Sequence, residues 1–174
     1  IVNNIDLQNI NFDFFADKTD VLIKNFSGDS GPIKIKDGDL KLKLLSEITL
    51  ETNFKTDIKY KNQTSNYKHL IKNFQYAENV ISLEADLTNR LLVNLDKTYK
   101  VKKYNYQNKG KIIKANLEFK KSLEKNFLKE KIYQFSLINS EIKSNFSSKS
   151  NNTAVSGKYS INKSDFLSFN LDNI

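Results

Sequence analysis

A long run of strictly alternating apolar and polar side chains limits what this chain can fold into. Residues 40–60 read LKLKLLSEITLETNFKTDIKY: even positions are apolar or small hydroxyl residues, and odd positions are polar except for Leu45. Successive side chains of a strand point to opposite faces, whereas a helix would spread these apolar residues around its axis. The run therefore predicts β-structure with one apolar face. Because strands are usually about 3 to 10 residues long, it should bend, bulge or turn near residues 45–47.

The same alternation recurs along the rest of the chain. It occupies the odd positions of residues 81–95 and returns in shorter form at residues 113–119, 133–137, 155–161 and 167–171. With the short alternations before residue 40, these segments predict about ten to twelve antiparallel strands at hairpin spacing. The expected fold is therefore an all-β antiparallel meander.

Local signals refine this prediction. A slip of the apolar phase at Asn9 and Ile10 indicates a β-bulge, which would curve the sheet. Helical spacing competes with alternation at residues 121–131, so we expect at most one short helix there. Turn-forming residues predict loops or turns at residues 17–20, 27–32, 37–38, 61–68, 88–90, 108–111, 147–153 and 162–165.

The length of 174 residues suits one domain with a sizeable core. The chain contains no Met and begins with Ile1, so we expect residues 1–174 to be a single segment excerpted from a longer polypeptide. No run approaches the roughly 18 to 20 apolar residues that a membrane-spanning helix needs, so any anchor would lie outside the excerpt.

The composition limits the kinds of site and partner that the chain can have. The absence of Cys excludes disulfides, thiol nucleophiles and zinc–thiolate sites. The formal net charge of +8 is uneven, because residues 1–87 carry 11 basic and 13 acidic side chains while residues 88–174 carry 17 and 7. A basic half could attract anionic headgroups, nucleic acid or acidic polymers, although the simpler interpretation is a solvated lysine-rich face.

The sequence offers little for catalysis. His69 is the single histidine and lies in a polar segment, and no glycine-rich phosphate loop or metal-binding motif is present. The carboxylate pairs Glu84 with Asp86 and Asp37 with Asp39 fit the solvated face of amphipathic strands better than acid–base chemistry. We therefore expect no enzyme activity, no cofactor and no metal site.

A cluster of tyrosines and lysines superficially suggests a nucleic-acid surface. Tyr99, Tyr104 and Tyr106 lie among several lysines, but the chain contains one arginine. Arginine is the usual reader of phosphates and bases. We therefore expect no nucleic-acid partner.

Three segments resemble the AsmA-like proteins, with the TamB and YhdP types as the nearest comparison. They are residues 35–44 (IKDGDLKLKL) with the alternation that follows to residue 60, residues 101–114 (VKKYNYQNKGKIIK) and residues 156–169 (SGKYSINKSDFLSF). The resemblance implies a periplasmic segment, anchored to the inner membrane by a part of the chain outside this sequence. It also implies a long curved meander forming an open, taco-like groove that carries phospholipid towards the outer membrane, with no catalytic residues.

Two functions follow from how the apolar face is covered. If an open groove leaves it free, the function is non-enzymatic phospholipid transport between the two membranes, with acyl chains as the partner and any outer-membrane protein partner left open. If a sandwich or solenoid closes it, the chain is a structural or adhesion module of an exported protein. For the first function, the predicted lipid-binding residues are Leu42, Leu44, Ile48, Leu50, Phe54, Ile58, Ile81, Leu83, Leu87, Leu91, Val93 and Leu95.

Overall fold

The computed structural model describes residues 7–45, 47–62, 79–123 and 131–173. These residues form nine strands: β1 (Gln8–Ala16), β2 (Asp20–Ser30), β3 (Ile33–Leu44), β4 (Ile48–Lys61), β5 (Val80–Leu95), β6 (Val101–Leu123), β7 (Ile132–Ser147), β8 (Asn151–Ile161) and β9 (Leu167–Leu171). Each strand pairs antiparallel with the next one in the chain, so the strand order in the sheet equals the order in the sequence.

The sheet is open, which confirms the predicted all-β antiparallel meander. β1 and β9 are its two edges, and the described residues contain no α-helix. The expected short helix lies largely outside the described residues, and β6 continues as a strand through Leu123. The described strands number nine rather than ten to twelve, because several expected turns lie within long strands.

The alternating run of residues 40–60 folds back on itself as predicted. β3 ends at Leu44 and β4 begins at Ile48, and these two residues face each other across the ladder. Leu42 likewise faces Leu50. Because directly opposed residues share a face, the turn keeps the even-numbered side chains of both strands on the same side of the sheet.

Three turn predictions were wrong because polar residues and glycines also occur within strands. Residues 37–38, 88–90 and 108–111 lie inside β3, β5 and β6. At Gly110 the backbone of β5 approaches so closely that a Cβ atom would overlap the carbonyl oxygen of Asp86. The predicted loop at residues 27–32 was also too long, since β2 continues through Ser30 and a tight turn follows.

Bulges in the first strands and in β7 keep the apolar residues on one face of the sheet. Asn9, Asn25, Asp37 and Asn139 have φ between 46° and 55°, and each coincides with a register shift in its ladder. Asn and Asp tolerate the left-handed conformation better than most residues, which explains their use at these points. The bulge expected at Asn9 is confirmed, whereas the pair at residues 37–38 marks a bulge rather than a hairpin.

We call the side of the sheet that carries the even-numbered residues of β4 the apolar face, and the opposite side the polar face. Small side chains midway along the strands on the apolar face are almost fully buried: Ala85 is 2% exposed, Ser140 0% and Ser144 4%. In a single-layer sheet such burial requires neighbouring side chains to close over these positions. The middle of the apolar face is therefore closely packed, with larger side chains covering small ones.

The close approach at Gly110 gives a stability prediction. Gly110→Ala should destabilise the fold by about 1 to 3 kcal/mol, because the new Cβ forces two strands apart. Gly28→Ala is the matched control, since its Cβ would meet the nearest atom at an ordinary 3.6 Å. Urea unfolding of both variants measures the difference, and equal free energies of unfolding would contradict the tight packing of β5 against β6.

In two turns, an aspartate carboxylate accepts hydrogen bonds from residues that follow it in the chain. Asp17 Oδ1 accepts hydrogen bonds from the backbone N–H groups of Thr19 and Asp20, at 2.7 and 2.8 Å. Asp96 Oδ1 accepts from the hydroxyl of Thr98 at 2.7 Å and the N–H of Lys100 at 3.0 Å. These bonds lower the pKa of both carboxyls below the ordinary value of 3.8, because they favour the charged form.

The lowered pKa of Asp96 predicts the direction in which the stability of the fold changes with pH. Its ionised form stabilises the turn at neutral pH, and this contribution is lost as the pH falls through the folded-state pKa, below 3.8. Asp96→Asn keeps an acceptor oxygen but removes the titration. The wild type should therefore melt higher than this variant at pH 7, and the gap should shrink by pH 2.5. A difference in melting temperature that stays constant with pH would show that the charge of Asp96 does not contribute to stability.

Candidate functional site

The ladder register brings the predicted lipid-binding residues together on one surface. On β4, Leu50 faces Leu42 on one side and Val93 on the other, while Ile58 faces Ala85. The register places eleven of the twelve predicted residues on the apolar face: Leu42, Leu44, Ile48, Leu50, Phe54, Ile58, Leu83, Leu87, Leu91, Val93 and Leu95. The exception is Ile81.

Ile81 lies at a bulge that the sequence pattern does not reveal. The ladder between β5 and β6 shifts between Val80 and Ser82, so that Val80 faces Leu117. Leu117 also faces Phe135. Val80 therefore takes the apolar-face position on this rung, and the Ile81 side chain is 36% exposed.

The apolar face extends to both edges of the sheet. On β1, Ile10, Phe12 and Phe14 are 47, 46 and 58% exposed, and on β9 Leu167 and Leu171 are 57 and 52% exposed. Within the described ranges, every substantial contact between strands is between chain neighbours, and no second sheet packs on this one. The part of the chain that the structure describes is therefore a single layer rather than a closed sandwich.

Aromatic rings, absent from the predicted set apart from Phe54, add to this surface between β6 and β9. Tyr106 stacks on Phe146 with ring centroids 6.3 Å apart. Tyr159 stacks on Phe135 at 6.1 Å and meets Phe169 edge-on at 5.8 Å. Alternation at residues 133–137 and 155–161 is the signal that could have included these residues in the predicted site.

A row of polar side chains crosses the apolar face between β5 and β8. The sequence pattern did not predict this row. Asn89, Asn108, Ser144 and Thr153 face one another in turn, and the row continues into Phe54 on β4. We call these four residues the polar row. Leucines lie on β5 at the next apolar-face positions to either side, so the row divides this part of the face into two apolar bands.

Hydrogen bonds to each other and to neighbouring side chains satisfy three of the four residues of the polar row. Asn89 is 2% exposed; its Oδ1 accepts from the hydroxyl of Tyr106 at 2.7 Å, and its Nδ2 donates to Thr56 Oγ1 at 3.2 Å. Thr153 Oγ1 donates to Ser144 Oγ at 3.0 Å. Asn108 Oδ1 is buried without a hydrogen-bond partner among the described residues. The interior bonds make the row compatible with an apolar surface, because buried polar groups are costly only when unpaired.

The polar face carries the charged residues, including both carboxylate pairs considered in the sequence. Glu84 and Asp86 face Lys59 and Asp57 on β4. At the bulge in β3, Lys55 Nζ lies 2.8 Å from Asp37 Oδ2, and this hydrogen bond lowers the pKa of Asp37 and raises that of Lys55. The Asp37 carboxylate is thus held in an ion pair at the bulge of β3.

Residues 7–45, 47–62, 79–123 and 131–173 contain no arrangement typical of a metal centre. These ranges contain no group of three or more His, Cys, Asp or Glu side chains that could hold a metal ion. His69 lies outside the described residues. Tyr104 and Tyr106 point to the apolar face while Lys103 points to the polar face, so the ladder separates the tyrosines from that lysine.

Comparison of the chain with models of known protein families, with curated proteins and with solved structures gave no match. Among the described residues, no helix is long and apolar enough to cross a membrane. The geometry of the two faces is therefore the basis for the function proposed below.

The bond between Tyr106 and Asn89 can be tested by stability. Tyr106→Phe should cost about 1 to 3 kcal/mol, because it leaves the buried Asn89 Oδ1 without a donor. Tyr104→Phe is the control, since Tyr104 lies on the same face of the same strand but is 38% exposed. Chemical denaturation should separate the two variants. A similar small effect in both would mean that the polar row does not depend on Tyr106.

Proposed function

We propose that this chain binds phospholipid acyl chains along the apolar face and carries them, without chemistry, between the inner and outer membranes. The observation that carries the proposal is that the apolar face extends from β1 to β9 while its edge strands leave large apolar side chains exposed. Exposed apolar surface of this extent is typical of a binding surface in a soluble protein.

The free energy of acyl-chain transfer makes such a surface useful. Moving a chain of about 16 methylenes into water costs on the order of 13 kcal/mol, at roughly 0.8 kcal/mol per methylene. A wall of leucine, isoleucine and aromatic side chains removes much of that cost. Because contact with each side chain is weak, an acyl chain can move from one strand to the next without a large barrier.

The arrangement of the face suits an elongated ligand. The two apolar bands beside the polar row run across the strands, from β5 towards β8. An acyl chain lying in either band would contact side chains from several successive strands. Three of the four residues of the polar row already have hydrogen-bond partners: Asn89 bonds to Tyr106, and Thr153 bonds to Ser144.

The cellular setting of the proposal comes from the resemblance of residues 35–60, 101–114 and 156–169 to AsmA-like proteins. In that setting the groove lies in the periplasm, and a membrane segment elsewhere in the polypeptide anchors it to the inner membrane. The open meander of nine strands agrees with the taco-like groove that the resemblance implies.

The rival function is a structural or adhesion module of an exported protein. In that case another protein surface, rather than lipid, would cover the apolar face. The single layer of the described strands favours the lipid proposal over a module that closes its own core.

A crosslinking experiment tests the proposal by comparing positions of β4 that point to the apolar face with positions that point to the polar face. A photoreactive side chain at Ile48, Phe54 or Ile58 should capture phospholipid in bacterial cells, because these positions point to the apolar face. A one-residue step along a strand reverses the face. The same probe at the matched control positions Thr49, Lys55 and Lys59 should therefore capture little lipid, as judged by mass spectrometry of the adducts.

Equal lipid capture at neighbouring positions would refute the groove. Protein adducts in place of lipid at the apolar-face positions would favour the structural or adhesion module.

A further inference from the structure

A shallow depression of about 600 Å³ lies on the polar face over the middle of β5, β6 and β7. Six side chains form a grid of two ladder rungs in it. Thr88, Lys109 and Lys143 face one another on the first rung, and Arg90, Gln107 and Asn145 on the second. We call these six residues the cationic grid. They hold three cations, a hydroxyl and two amides, and no Asp or Glu lines the depression.

The two lysines of the grid lack the ion pairs found elsewhere on the polar face. Lys36 and Lys55 also face each other, but Lys36 Nζ lies 3.2 Å from Asp57 and Lys55 Nζ 2.8 Å from Asp37. Lys109 and Lys143 have no ion pair with any described residue. Like charges directly opposite on neighbouring strands destabilise a sheet, so this pair favours an anion between them.

Arg90 supplies the third cation of the grid. One of its terminal nitrogens, Nη2, bonds to Glu51 Oε1 at 2.9 Å, which fixes the guanidinium beside the depression. A guanidinium has five N–H donors, so donors remain for a second partner. Neighbouring rungs of the grid lie about 7 Å apart along the strand and its columns about 5 Å apart across it, a spacing at which one tetrahedral oxyanion can contact several donors.

A second depression beside the grid provides a contrast. It shares Lys109 and Lys143, but its lining also includes Asp86, Glu141 and Asp172. Lys111 faces Glu141 there. Carboxylates reduce the positive potential on that side, so the grid is where an anion is attracted most strongly.

We propose that the cationic grid binds a phosphate group, either as inorganic phosphate or as the phosphomonoester of an anionic lipid headgroup. The site lies on the opposite face from the proposed acyl-chain surface. Its occupation therefore does not depend on the proposed function, and its failure would leave that function untouched.

Thermal melting in the presence of phosphate tests the site. Inorganic phosphate should raise the melting temperature of the chain, because a ligand that binds the folded state stabilises it. Sodium chloride of matched ionic strength should raise it less. The double variant Lys109→Gln, Lys143→Gln should bind phosphate at least about tenfold more weakly by calorimetry, since it removes two of the three cations.

Lys111→Gln is the matched control, because Lys111 lies on the same face of β6 but faces a carboxylate. It should bind phosphate nearly as well as the wild type. In phosphate-free buffer, Lys143→Gln should also melt at or above the wild-type temperature, since it relieves the repulsion with Lys109. Weakening per removed charge that is as large in Lys111→Gln as in the double variant would overturn the site in favour of general charge attraction.

Vesicle flotation identifies the source of the phosphate. If the ligand is a lipid headgroup, vesicles containing phosphatidic acid should bind more wild-type protein than pure phosphatidylcholine vesicles do, and the double variant should lose this excess. If inorganic phosphate binds and these vesicles do not, the grid serves a soluble phosphate. Binding of neither ligand would overturn the proposal.

Discussion

The fold depends on keeping apolar residues on one side of a single-layer sheet through nine successive strands. A one-residue error in register would move every following side chain to the wrong face. Asn or Asp residues in the left-handed conformation restore the alternation at four points where a strand gains a residue, as at Asn25 and Asp37. Because the described strands have no second layer against which to pack, this control of phase determines both the stability of the sheet and the surface that it presents.

The same constraint explains the interior of the apolar face. Small residues such as Ala85 and Ser140 occupy its most buried positions, and Gly110 lets β5 and β6 approach where any side chain would clash. Larger apolar side chains surround them. The polar row lies within this surface and is tolerated because Asn89 bonds to Tyr106 and Thr56. Hydrogen bonding and side-chain size thus combine to give an apolar surface on one face, while charges gather on the opposite face.

Alternation predicted the meander and most of the candidate site, because a side chain's face follows from its position in a strand. The turn at residues 45–47 was predictable because the alternation exceeds the length of one strand. Polar residues inside strands could not be distinguished from turn residues in this way. Asn89 resembles a turn residue in the sequence, and only the fold places the hydroxyl of Tyr106 beside it. The bulge at Ile81 and the pairing of Lys109 with Lys143 depend on neighbouring strands, and periodicity within a single strand contains no information about them.

The central claim is that acyl chains lie against the apolar face alone, and methyl NMR tests it most directly. Three aliphatic residues on the polar face serve as internal controls: Leu22 faces Lys41, Leu92 faces Glu51 and Ile138 faces Lys114. With phospholipid bound, the account predicts nuclear Overhauser effects from acyl methylenes to the methyl groups of Leu50 and Leu91, and none to these three residues. Effects of equal strength on both faces, or on neither, would contradict it.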